Sequence, residues 1–248
     1  MKKQIDNDFE KELRRLRLRR DLPKWVVNSV DQFMRNVGRV KSLVELYDTI
    51  QEIRSRNGRG KKGRRKVEEV DLLRSAVVLL HATLEEFLRA KVIQFFPYSQ
   101  PDAFKSIPLF GLENNRADKF GLDSLVKHRD KTVDSLLRES VRSHAYQRSF
   151  NDGTDIMSWL ERVGVRPDDE LRKRLAKIGP MIKRRHSIVH NADLGSKSGK
   201  GNHRTSSLSR DTVDTWIGDT TAFMSRVLWH LGETLPSDNP DSSKYSGK

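Results

Sequence analysis

Residues 184–193 read Arg-Arg-His-Ser-Ile-Val-His-Asn-Ala-Asp, the densest grouping of side chains able to do chemistry in the chain. His186 and His190 stand four apart, on one face of a helix, as two zinc ligands would. However, the glutamate that would follow the first histidine is missing, and no third ligand stands at a useful spacing, so a zinc site is not expected. No nucleophile elbow supports a serine triad. What is left is arginine and histidine without a metal, and that is enough to cleave RNA, which carries its own nucleophile in the 2′-hydroxyl. Histidine, with a reference pKa of ~6.5, takes or gives a proton near neutrality. Arginine presents a fixed charge and a fork of donors to phosphate oxygens. Positioned proton transfer contributes ~10²–10⁴-fold, and a preorganised donor ~10²–10³-fold. Arg185 and His190 lie five residues apart, about 140° around an ideal helix. One straight helix does not aim both at a single phosphate. Either His190 sits in a fraying last turn, or two copies meet across a symmetric dimer.

The elements that must position these residues read as helices. Val26, Val30, Phe33, Val37, Val40, Val44 and Tyr47 step by fours and threes and predict a helix of about 28 residues, with Pro23 at its entry. A second helix is expected over "VEEVDLLRSAVVLLHATLEEFLRAKVIQFF". Its buried face is Leu73, Val77, Leu80, Leu84 and Phe87, with His81 at the margin of that face and Glu85 one turn on. Residues 97–121, broken by prolines, read as an insertion. Helices follow over roughly 122–147, in "DIMSWLERVGV", and in "RPDDELRKRLAKI", which Asp168 caps. Gly179-Pro180 should interrupt or kink this last one, leaving Pro180 to start the turn that carries the motif. Residues 195–207 read as a flexible loop. A final helix is expected over about 210–235, with Val213, Trp216, Ile217, Thr220, Phe223, Met224 and Val227 on one side. Strand alternation is missing, so the fold class is all-α.

Charge gives the next constraint. Of a net +14, residues 1–66 carry 20 Lys/Arg against 9 Asp/Glu. A basic arm beside a nearly balanced body suggests an anionic partner, nucleic acid first, against the plainer reading of a solubilising tail. Residues 54–66 hold eight basic residues and three glycines and read as a mobile basic loop. Cysteine is absent, which excludes disulfides and a thiol nucleophile. The N-terminus has charges where a signal peptide needs an apolar run, and "AVVLL" is far short of a membrane span. A cytoplasmic protein is expected, with a basic arm over 1–23, a helical domain over 24–235 and a disordered tail over 236–248.

Arg185-His186-Ser187-Ile188-Val189-His190, an Arg-x-x-x-x-His at the end of a late helix, resembles the signature of the HEPN superfamily. "LLHATLEEFLRA" is similar to that family's first core helix. The likeness is nearest to the RiboL-PSP-like HEPN domains of bacterial conflict systems. It covers roughly residues 66–235 and leaves open the helix from 24. It implies an up-and-down helical bundle that is a metal-independent endoribonuclease without a cofactor. It also implies a homodimer whose two Arg/His pairs share one cleft, and a toxin or anti-phage role with an antitoxin or defence partner. Carried over, Arg185 would stabilise phosphate and His190 would move protons. His186 takes the polar position after the arginine, and Asn191 supports. Arg184 has no role in the family and is read as a phosphate or solvent contact; it joins Lys183, Arg59, Lys61, Lys62, Arg64 and Arg65 as the expected nucleic-acid contacts. Some HEPN toxins carry a modifiable tyrosine three residues after the histidine; here that position is Asp193, which puts control by that route in doubt. The alternative is a non-catalytic helical RNA-binding or adaptor subunit.

Overall fold

The computed structural model describes residues 24–56, 67–111, 122–194 and 205–234. The expected arm over 1–23, the basic cluster Arg59–Arg65 and the tail lie outside them. Seven α-helices are described: α1 (Lys24–Arg56), α2 (Val67–Phe95), α3 (Leu122–Val126), α4 (Val133–Gln147), α5 (Gly153–Arg162), α6 (Asp169–Asn191) and α7 (Arg210–Thr234). Two short 3-10 turns, Phe96–Tyr98 and Pro101–Phe104, follow α2. The chain is all-α. Among the described residues the one β feature is an isolated bridge between Leu194 and Thr205. No helix among them is long and apolar enough to cross a membrane.

The described residues fall into two compact units: those up to 85 together with 168–228, and 86–167 together with 229–234. In the first, the α1 stripe behaves as its spacing demands. Val30, Phe33, Val37, Val40, Val44 and Tyr47 are all buried; the side chain of Val26 lies outside the described set. Burying one such residue removes apolar area worth ~1.5–3 kcal/mol from water, which is what holds so long a helix down. Polar ties then set its register against its neighbours. Arg54 donates to both Glu69 oxygens at 2.9 and 3.1 Å, and Gln51 to Glu69 at 2.8 Å. Arg210 of α7 meets Asp48 at 2.8 Å. Residues 54–56, expected in the loop, are therefore helical, because Arg54 has an acid to bind.

Three further expectations are corrected. Pro180 does not interrupt α6, which runs unbroken from Asp169 to Asn191. The proline is exposed while Ile178, Met181 and Ile182 are buried beside it. The carbonyl that loses its N–H partner thus has access to water, and core packing outweighs the local penalty. His81 is not marginal: it is 1% exposed, with Nδ1 3.8 Å from Glu85 Oε2. The expected 122–147 helix is two helices, because Thr132 accepts a bond from Ser135 N–H and starts α4 afresh.

The second unit is organised by rings. Trp159 of α5 meets Phe96, Phe150 and His144 at 5.7, 6.4 and 5.7 Å between centroids, and Phe96 meets Phe104 edge-on at 5.0 Å. Burial and the nearby Arg148 and Arg162 push the His144 imidazole below its usual pKa. His144 is thus a packing residue, as are Phe110 and His128, where His128 Nε2 lies 3.1 Å from the Phe110 carbonyl.

Candidate active site

Helix α6 explains why Arg185 and the histidines sit where they do. Asp168 caps it, accepting from Leu171 N–H at 2.7 Å, and Asp169 and Glu170 oppose the positive end of the helix dipole. Its buried stripe runs Leu171, Leu175, Ile178, Ile182, and the next inward position by that spacing is 185. The helix thus turns a half-buried arginine toward the protein just as its apolar face runs out. Lys183, His186, Val189, His190 and Asn191 are exposed. The rings of His186 and His190 lie 4.5 Å apart, tilted by 43°. His190 and Asn191 belong to the helix, so the fraying-turn arrangement is not the one adopted. Among the described residues no group of three or more His, Cys, Asp or Glu could hold a metal ion.

What ends α6 was invisible in the sequence. Ala192 and Asp193 both adopt left-handed backbone, at φ 46° and 58°. Ala192 N–H and Asp193 N–H both return to the Ser187 carbonyl, a left-handed helix stop made without glycine. Left-handed backbone at an L residue costs about 1–2 kcal/mol, so something must hold it. Asp193 is 0% exposed. Its Oδ2 accepts from Arg74 Nε at 2.7 Å and from Arg184 Nη2 at 2.8 Å. Arg74 also binds Asp71 at 2.8 Å and the Ser206 carbonyl at 3.1 Å. Arg184 Nη2 reaches the carbonyls of Ser206 at 2.9 Å and Ser207 at 3.1 Å, and Ser206 N–H donates to the Asp193 carbonyl.

This arrangement reassigns Arg184. Expected at the RNA, it is instead half-buried and bound to Asp193 and two carbonyls. Ser206 and Ser207, expected to be in a flexible loop, are held by the same arginines. Arg74 was missed altogether, and its one sequence signal is a fixed charge among the mostly apolar residues on the buried side of α2. Lys183 and Asn191 are at the surface near the histidines, and Asn191 also gives its carbonyl to Leu194 N–H at 3.0 Å.

The chain belongs to the RiboL-PSP-HEPN family, whose model matches residues 35–228. The match takes in most of α1, the helix that the motif-based likeness left open. No curated protein and no solved structure matches the chain.

Proposed function

We propose that this protein is a metal-independent endoribonuclease, acting as a toxin or anti-phage effector. Its family membership points to RNA-related work, and the observation that carries the finer reading is the exposed His186–His190 pair at 4.5 Å, which directly follows Arg185 along the helix. In this reading His190 takes the 2′-hydroxyl proton as the oxygen attacks the adjacent phosphorus. The bond from phosphorus to the 5′-oxygen breaks, and a proton is returned to that oxygen. The products are a 2′,3′-cyclic phosphate and a 5′-hydroxyl. Arg185 stabilises the charge that gathers on the phosphorane oxygens. His186 supports the neighbouring imidazole, and Lys183 and the basic residues Arg59 to Arg65 hold the phosphate backbone.

Two copies are part of the proposal. Arg185 and His190 project about 140° apart on one continuous helix, and a symmetric pair supplies both groups to one phosphate. Val189 is 48% exposed beside the histidines, an apolar contact suited to such a pairing. The test is incubation of purified protein with total RNA or tRNA and analysis of fragment ends. Discrete fragments ending in 2′,3′-cyclic phosphate support the proposal. Binding without cleavage would favour an adaptor role in a defence complex.

A further inference from the structure

We propose that Asp193, Arg74 and Arg184 form a positioning triad for the site: a buried ion cluster that closes the motif on itself and fixes the helical turn bearing His186 and His190. Arg184 and Asp193 are the first and last residues of the ten-residue motif, yet they are bonded at 2.8 Å. Along an unbroken helix, nine residues would separate their Cα atoms by about 13 Å. The bond forms because the chain reverses at the left-handed Ala192 and Asp193. The stop after Asn191 and the ion contact therefore require each other. Everything proposed to react, Arg185, His186 and His190, lies inside this closed stretch.

Arg74 adds the second constraint. It comes from α2, 119 residues away in sequence, so its bond sets the rotation of the motif relative to another helix. The Asp193 carboxylate is fully buried, and salt does not screen such a contact as it would a surface pair. Buried ion clusters are often no more stabilising than apolar packing of the same volume, whereas their directional bonds hold one geometry. Arg184 meets the carboxylate and both carbonyls through Nη2 alone, so the contact depends on a charged nitrogen held at the far end of a long side chain. Asp193 touches none of the proposed reacting groups and acts through the placement of His190.

The kinetic arm of the test rests on the ribonuclease reading; the spectroscopic arm does not. Asp193→Asn keeps the shape and removes the charge. We expect kcat on an oligoribonucleotide to fall roughly 10- to 100-fold with KM within about two-fold of the wild type. The nuclear Overhauser contact between the His186 and His190 rings should weaken, while circular dichroism still reports a helical fold. Arg184→Lys, which keeps the charge on a shorter side chain that ends short of the Nη2 position, should give a kcat between those of the wild type and Arg184→Met. A folded Asp193→Asn protein with unchanged kcat and an unchanged ring contact overturns the proposal. If Asp193→Asn does not fold, Arg184→Lys is decisive: wild-type kcat and ring contact overturn the proposal, and loss of either supports it. If the wild type cleaves no RNA, the ribonuclease reading fails, and the ring contact in the two variants still decides the triad.

Discussion

Arg184 and Arg185 are neighbours with the same side chain; Arg184 is tied to Asp193, and Arg185 is the one proposed to meet phosphate. Arg184 holds a fully buried carboxylate, and removing it leaves Asp193 with Arg74 alone. Hydrogen bonds to charged groups are worth ~1.5–3 kcal/mol, so Arg184→Ala should lower unfolding free energy by about 2–3 kcal/mol in urea titrations. Lys183→Ala, at the surface, should stay within ~0.5 kcal/mol. Equal effects would contradict the assignment. Arg185 and His190 could be picked out as candidates in the sequence because five residues on one helix is a local pattern. Arg74 and Asp193 were not, because pairing across 119 residues leaves no trace in periodicity or composition. Arg184 was misread for the same reason: a basic residue looks solvated until its acid is found.

At the scale of elements, the helices followed from their stripes and caps. The α1 residues from Val30 to Tyr47 are buried on schedule, and Asp168 caps α6. Pro180 failed as a breaker because local propensity gave way to packing on both sides of it. A polar residue buried in an apolar face is equally hard to foresee, and Lys91 of α2 is one. It is 4% exposed, it donates to Gln94 Oε1 at 2.6 Å, and desolvation lowers its pKa from 10.5 to about 8. Below pH 8 the ammonium is charged in both folded and unfolded chains, and burial destabilises the fold in full. Between about 8 and 10.5 the folded protein sheds the proton first, so stability recovers as pH rises. At about 1.4 kcal/mol for each pH unit the penalty at pH 7 is on the order of 3 kcal/mol. Lys91→Met should therefore melt higher than the wild type at pH 7, and the gap should shrink by pH 10. A gap that does not depend on pH would show that packing, not charge, sets the difference.

For the whole molecule, the all-α class and the family were readable from helical stripes and one short motif. The division of the described residues into two units was not, because α2 and α7 each run through the sequence positions where it falls. The proposed homodimer is motivated by the projection of Arg185 and His190, and in that case light scattering at micromolar protein gives twice the 28.7 kDa chain mass. A strict monomer that still cleaves RNA would refute the shared cleft. The measurement closest to the central claim is cleavage of one oligoribonucleotide by the wild type, Arg185→Ala and His190→Ala, with EDTA present throughout. The account predicts that the wild type cuts to a 2′,3′-cyclic phosphate, fails on the same strand carrying 2′-deoxy at the cut site, and that either substitution lowers the rate at least ~10²-fold while the proteins stay folded. Normal cleavage by both variants, or a wild type silenced by EDTA, would contradict it.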